Sequence, residues 1–278
     1  MNIKVSNASL QEMLLVGCGN MGYALLKGWL AEHKGLKVHV IEPDVQLRER
    51  AHAEGAAVYK EAAGIASDAA PQVIVIAVKP QYVCQLLPQY QQFVDRGAFV
   101  LSVAAGVTMA SMQAVLGDRV SIVRCMPNTP AAIGAGALVC CANGATDKNE
   151  EKIAYQLLAT SGEVYFTPDE TQMDAVTAVS GSGPAYIFHF IECLADAGVK
   201  AGLPDALAKA LALQTVYGAS LLAKNSDIPP GLLRQQVTSP NGTTAAALEV
   251  LMAPGGMGAV LDEAVAAAKT RSIELGLQ

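Results

Sequence analysis

Three glycines, at positions 17, 19 and 22, are the first residues whose type and spacing could do chemistry. They form a G-x-G-x-x-G turn between an apolar run, Met13 to Val16, and a segment from Tyr23 to Ala31 that reads as a helix. In that context Gly17 permits a tight turn, Gly19 lets backbone approach a pyrophosphate, and Gly22 lets the helix pack on the strand. The helix start adds free N–H groups and a positive dipole end suited to phosphates. A second apolar run, Lys37-Val-His-Val-Ile, ends in Glu42. An acid about twenty residues past the glycines is placed to accept an adenosine ribose hydroxyl. The chemistry implied is dinucleotide binding. The plainer reading is an ordinary strand–turn–helix.

Three further stretches could act. In Val237-Thr-Ser-Pro-Asn-Gly-Thr-Thr244, turn residues Ser239 to Gly242 run straight into a strong helix former. The N–H groups of Gly242, Thr243 and Thr244, flanked by hydroxyls, would make a small anion site suited to a carboxylate. The same residues would also serve as an ordinary Ser/Asn-capped helix. Ser180-Gly-Ser-Gly-Pro-Ala-Tyr186 breaks one helix and starts another. It reads either as a hinge or as backbone passing close to a ligand. The β-branched run Val73 to Val78 ends in Lys79-Pro80. Ligands in doubly wound sheets lie outside the strands' C-terminal ends, so Ala77 to Pro80 is either a cofactor contact or a plain turn.

The elements that must position these residues follow from periodicity. Strands are expected at 13–16, 37–42, 57–59, 73–78, 99–103, 120–125, 137–141 and 164–166, with helices at 45–53, 83–93, 109–116 and 151–160 between them. Alternation of this kind gives an α/β fold with a doubly wound sheet. From about Thr167 alanine and leucine dominate, and helices are expected at 170–179, 185–201, 204–223, 231–237, 243–253 and 257–275. Pro204 suits a first helical position. Ala210 to Ala223 carries no charge on any face, so it must be buried on all sides. A subunit interface is the natural explanation.

Composition narrows the class. The chain has 278 residues, 52% hydrophobic and 16% charged, with net charge −6. This is a packed globular protein without the basic stripe that nucleic acid or anionic membrane would need. No uninterrupted apolar run reaches the eighteen or so residues of a membrane span, and no signal-peptide core precedes the first strand. The six cysteines (18, 84, 125, 140, 141, 193) lack C-x-x-C spacing and read as buried free thiols in a reducing cytoplasm. His33, His39 and His52 read as surface residues and His189 as a hydrogen-bonded core histidine; no metal constellation is seen.

The five motifs Gly17-Cys-Gly-Asn-Met-Gly22, Ala77-Val-Lys-Pro80, Cys125-Met-Pro-Asn-Thr-Pro130, Ser180–Tyr186 and Val237–Thr244, in that order, resemble pyrroline-5-carboxylate reductase across essentially the whole chain. That family joins a Rossmann domain to an all-helical dimerisation domain and reduces 1-pyrroline-5-carboxylate to L-proline with NAD(P)H. The resemblance implies a dinucleotide-binding domain over 1–166 and an all-α substrate and dimerisation domain over 167–278. It implies a cofactor held by Gly17, Cys18, Gly19, Asn20, Met21, Gly22, Ala77, Val78, Lys79, Pro80 and Ala105, beside the Glu42 of the motif. It also implies a substrate met by Glu170, Ser239, Gly242, Thr243 and Thr244, with Thr244 bonding the imine nitrogen. The expected state is a homodimer, or a larger homo-oligomer, in the cytoplasm.

This sequence departs from the family pattern at three points. Asn241 stands where a first glycine is common in the substrate loop, although asparagine tolerates a left-handed backbone. The third strand is followed by Lys60-Glu-Ala and not by an asparagine for the adenosine half. Members preferring NADP usually carry a small polar residue and a nearby arginine where this chain has Glu42, which favours NADH here. Arg48 and Arg50 are the residues that could instead reach a 2′-phosphate. Two other functions compete. A β-hydroxyacid dehydrogenase would need a lysine and an asparagine one turn apart on the first long helix of the second domain, and only Lys200 is there. A non-catalytic NAD(P)-sensing protein would not need a carboxylate-binding helix start.

Overall fold

The computed structural model describes residues 10–276. The chain divides into two compact units, one running to Gly181 and taking in the chain from Lys269 onward, the other spanning Ser182–Ala268.

The first unit is built on eight strands: β1 (Glu12–Val16), β2 (Lys37–Ile41), β3 (Ala57–Tyr59), β4 (Val73–Ile76), β5 (Phe99–Ser102), β6 (Ile122–Met126), β7 (Gly136–Ala142) and β8 (Gly162–Phe166). Helices α1 (Asn20–Glu32), α2 (Val45–Ala53), α3 (Val83–Leu86), α4 (Gln91–Val94), α5 (Met109–Leu116) and α6 (Lys148–Ala159) alternate with them, and α7 (Met173–Val176) follows. The sheet order is β3-β2-β1-β4-β5-β6-β7-β8, parallel throughout except for the antiparallel β6–β7 pair. Successive side chains on a strand point to opposite faces, and both faces here are apolar. Met13 and Leu15 of β1, Val73 and Val75 of β4, and Phe99 and Leu101 of β5 join the core that holds Trp29 of α1 and Leu157 of α6. Leu14, Val16, Ile74, Ile76 and Val100 join the opposite core, with Phe93, Met112 and Met173. That two-sided burial is why these strands read as unbroken apolar runs.

The order reverses between β1 and β4. Val16 pairs with Ile41 on one side and with Ile76 on the other, so the ends of β1, β2 and β4 are level. The loops after them open at the topological switch point, where doubly wound sheets bind ligands.

The second unit holds α8 (Gly183–Lys200), α9 (Asp205–Lys224), α10 (Pro230–Gln236), α11 (Thr243–Leu251) and most of α12 (Met257–Gly276). The uncharged span of α9 is largely exposed in the single chain, with Leu213 and Tyr217 each 59% accessible. By length and composition alone α9 could cross a membrane, its mean hydropathy reaching 1.3.

Several expectations need correction. The helix expected over 83–93 is a series of short turns, α3, Leu87–Tyr90 and α4, with a further turn at Pro80–Tyr82 before them. Pro88 has no N–H and cannot continue an α-helix. The helix expected over 170–179 becomes a 3₁₀ turn (Glu170–Gln172), α7 and a π-turn (Thr177–Gly181). The last strand ends at Phe166 as expected. Residues 167–181 nevertheless stay with the sheet unit, because Met173 is buried in its core and Glu170 pairs with Arg124 of β6. The end of α12 returns to that unit: Ser272 Oγ lies 2.6 Å from Asp174 Oδ1, and Gly276 packs on the Gly106 carbonyl. Pro204 precedes α9 as its N-cap rather than its first residue. His39 is buried, not on the surface; it stacks on Tyr59 and bonds to Glu12. His189 is not in a core: it lies on an exposed face of α8 beside Glu192 and Cys193. Cys193 is likewise exposed and Cys84 half-buried, whereas Cys18, Cys125, Cys140 and Cys141 are buried free thiols.

Candidate active site

The glycine loop is held by contacts that other residues could not make. Gly17 has φ +88°, and a Cβ there would lie 2.7 Å from Val78 Cγ1 and 2.8 Å from the Ala77 carbonyl. A Cβ on Gly22 would come within 2.4 Å of the Gly17 carbonyl, so α1 packs on the loop only with hydrogen at that position. A Cβ on Gly19 would meet no atom within 4 Å. Its lack of a side chain answers no internal crowding and instead leaves space in front of the backbone. Gly19 is the N-cap of α1 and makes no side-chain cap bond. The first N–H groups of α1 therefore have no partner within their own helix and are suited to an anion.

A cleft of about 650 Å³ opens at this edge. It gathers Gly17, Gly19, Glu42, Ala77, Val78 and Lys79 from three separate loops. Pro80 starts the turn that follows, and Ala105 lies in the turn after β5; neither lines the cleft. Leu47, Lys60, Glu61, Tyr82, Gln85, Leu86 and Gln89 line it as well. Nothing in the local sequence marks these as site residues, because the sheet order alone brings them there. A pyrophosphate-bearing dinucleotide fits this lining: open backbone at Gly19, a helix start beside it, and an acid at the end of β2.

Glu42 is buried and already engaged. Its Oε2 accepts the Cys18 N–H at 2.7 Å and its Oε1 the Asp44 N–H at 3.0 Å. The arginines named as possible phosphate ligands are engaged too. Arg48 Nη1 donates to the carbonyls of Glu42 (2.8 Å) and Pro43 (3.0 Å). Arg50 Nη2 donates to the Cys18 carbonyl at 2.9 Å, and its guanidinium stacks 3.9 Å from the centre of the Tyr23 ring. Burial pushes the Cys18 thiol up to about 11, so it stays protonated and unreactive at neutral pH.

Glu170 sits in the same unit. Its Oε1 accepts from Arg124 Nη1 at 2.8 Å and from the Met109 N–H at 2.9 Å, tying the start of α5 to β6. Asn128, of the two-proline stretch after β6, donates to the Ser180 carbonyl at 3.1 Å.

The other candidate residues lie in the helical unit. Asn241 has φ +60°, the left-handed conformation its short polar side chain tolerates. The turn closes with the Gly242 N–H donating to the Ser239 carbonyl at 3.0 Å. Gly242 is then the N-cap of α11 and makes no side-chain cap bond. A Cβ there would lie 2.3 Å from Ser239 Oγ and 3.1 Å from the Ser239 carbonyl, so a larger residue would have to turn the serine hydroxyl aside. The alternative of a side-chain-capped helix is thus not what forms; the N–H groups of Thr243 and Thr244 begin α11 without one.

Comparison with known proteins covers both units. Residues 170–275 match the pyrroline-5-carboxylate reductase dimerisation model, and residues 13–106 match that of coenzyme F420-dependent NADP oxidoreductases. A pyrroline-5-carboxylate reductase of Pseudomonas aeruginosa is 39% identical over 272 residues, 97% of this chain and 98% of that protein. One from Mycobacterium leprae is 38% identical over 96% of this chain and 98% of its own length. Among solved structures, the Coxiella burnetii pyrroline-5-carboxylate reductase superposes with a TM-score of 0.89 at 32% identity, over 96% of this chain and 99% of that one. The Plasmodium falciparum pyrroline carboxylate reductase, solved with NADP bound, gives 0.81 at 29% identity, over 96% of this chain and 100% of that one. Identity at this level runs from the glycine loop through the helical unit, and the chain belongs to the pyrroline-5-carboxylate reductase family.

Proposed function

We propose that this chain carries out its family's reaction, reducing the C=N bond of 1-pyrroline-5-carboxylate to give L-proline, the last step of proline biosynthesis. The observation that carries this reading beyond the family match is the start of α11, where a glycine N-cap leaves N–H groups beside the hydroxyls of Thr243 and Thr244. Bound NAD(P)H supplies the hydride. The glycine loop and first turn of α1 hold its pyrophosphate, Glu42 meets the adenosine ribose, and Ala77–Pro80 and Ala105 extend the cofactor site. Ser239, Gly242, Thr243 and Thr244 hold the substrate carboxylate, and the Thr244 hydroxyl bonds the imine nitrogen.

A protonated cyclic imine is already an electrophile, so holding and orienting it supply most of what catalysis needs. That matches a site without a catalytic histidine among its assigned residues. The resemblance puts Glu170 near the substrate, and its bonds to Arg124 and Met109 give it a share in fixing the segment that leads out of the sheet unit. Glu42 favours NADH. The working form is a cytoplasmic homodimer or larger homo-oligomer joined through the helical unit, which would cover the exposed leucines of α9, while the sheet unit serves the cofactor.

A thermal-shift comparison tests the carboxylate assignment. L-Proline should raise the melting temperature and pyrrolidine, which lacks only the carboxylate, should not. Equal protection by both would contradict it.

A further inference from the structure

Arg50 is the residue whose surroundings the dinucleotide-site assignment leaves unexplained. It lies in the last turn of α2, and it reaches back to the loop between β1 and α1. Its Nη2 is 2.9 Å from the Cys18 carbonyl and 3.5 Å from that of Gly19. The guanidinium stacks on Tyr23, whose hydroxyl donates to Glu54 four residues along from Arg50. A cation over an aromatic face is held there electrostatically, so ring and carbonyl together fix the guanidinium.

The grip has a directional consequence. A trans peptide unit is planar, with its C=O and N–H pointing in opposite directions. The Cys18 carbonyl and the Gly19 N–H belong to one such unit. Holding the carbonyl on the Arg50 side aims the Gly19 N–H the other way. The preceding unit is held from the opposite charge: its N–H, that of Cys18, is bound by Glu42 Oε2 at 2.7 Å. Two successive peptide planes of the phosphate loop are thus set by a carboxylate on one and a guanidinium on the next.

We propose that Arg50 is a positioning residue for the dinucleotide, acting through the Cys18 carbonyl to aim the Gly19 N–H at the pyrophosphate, and that it is not a ligand of the 2′-phosphate. The inference rests on the glycine loop being the pyrophosphate site. It requires Arg50 to matter equally for NADH and NADPH, since both carry the same pyrophosphate.

The test is direct binding to the full-length protein, read from the fluorescence of bound NADH and NADPH and from calorimetry with ADP-ribose, which has the pyrophosphate but no nicotinamide. Arg50→Met should weaken all three by a similar factor of about ten or more, the effect of losing a charged hydrogen bond. In steady state the cofactor KM should rise while kcat at saturating cofactor and the KM for pyrroline-5-carboxylate hold. Arg50→Lys keeps a charge and one donor without the planar fork; it should give a smaller loss, again equal for the two cofactors. That variant serves if Arg50→Met does not fold. A loss confined to NADPH would make Arg50 a phosphate ligand and overturn the proposal, as would unchanged binding of all three. Failure of ADP-ribose to bind the unaltered protein would overturn the loop assignment itself, and the role of Arg50 with it.

Discussion

The Cys18 N–H donates to Glu42 Oε2 at 2.7 Å, joining the glycine loop to the acid at the end of β2. Glu42 therefore anchors the loop and also lines the cleft. Each carboxylate oxygen can accept more than one hydrogen bond, so a ribose hydroxyl still has a partner there. A 2′-phosphate would meet a buried like charge. Such a contact is worth roughly 1–3 kcal/mol, or about ten- to a hundredfold in preference. We expect kcat/KM for NADH to equal or exceed that for NADPH, and Glu42→Gln to move the ratio toward NADPH. Steady-state rates with both cofactors check this, and a strong preference for NADPH in the unaltered protein would contradict it.

Gly19 offers a cleaner substitution than its neighbours. A methyl group there meets no atom of the protein, whereas at Gly17 and Gly22 it collides with backbone. Gly19→Ala should fold with an unchanged melting temperature but bind NADH at least about tenfold more weakly, because the methyl projects where the pyrophosphate must approach. Gly22→Ala should lose stability even without cofactor. If Gly19→Ala bound NADH normally, the pyrophosphate would have to lie elsewhere.

Leu213 is 59% exposed in the single chain, on a helix whose central span carries no charge. In a dimer covering that face, glutamate would be a buried unpaired charge. Leu213→Glu should sediment as a monomer and keep its helical circular dichroism. A dimer of unaltered affinity would remove this face from the interface.

Acid stability should depend on a cluster at the opposite end of β1. Burial pushes the Glu12 carboxyl up, but hydrogen bonds from Lys37 Nζ, the Ala70 N–H and His39 more than reverse this, bringing it from 4.5 to about 2. A carboxyl whose pKa is lowered on folding adds stability above its unfolded value, and that stability fades as pH falls toward the folded one. The loss should run from about pH 5 down to about pH 2 and amount to roughly 1–3 kcal/mol once solvent screening is allowed for. Urea midpoints measured from pH 7 to pH 3 should fall less steeply in Glu12→Gln. Parallel curves for the two proteins would show that Glu12 does not set the acid limb.

What could be read in the sequence was whatever repeats locally. The β1 and β4 runs, the glycine spacing and the left-handed Asn241 all follow from residue type over a few positions. So does the uncharged length of α9. Long-range pairing is what hid the rest. His39 looks like a surface residue on β2 until Glu12 and Tyr59, 27 and 20 residues away, close around it. His189, by contrast, sits on a helix rich in apolar residues, yet its side chain is exposed beside Glu192. Arg48 and Arg50 have the charge for a phosphate, and only the fold shows them turned to carbonyls. Tyr82, Gln85 and Gln89 join the cleft through the sheet order and the turns after β4.

The reaction itself is tested most directly by following the absorbance of NADH and NADPH, with and without pyrroline-5-carboxylate, in the unaltered protein and in Thr244→Val. We expect oxidation that depends on pyrroline-5-carboxylate and yields proline. Thr244→Val, which keeps the shape and removes the hydroxyl, should slow it about ten- to several-hundredfold with NADH affinity unchanged. Ser182→Ala, before the start of α8, should do less. No substrate-dependent oxidation by the unaltered protein would contradict the assigned reaction, and a Thr244→Val enzyme at full rate beside an inactive Ser182→Ala would move the chemistry from the Thr244 loop to the Ser180–Tyr186 stretch.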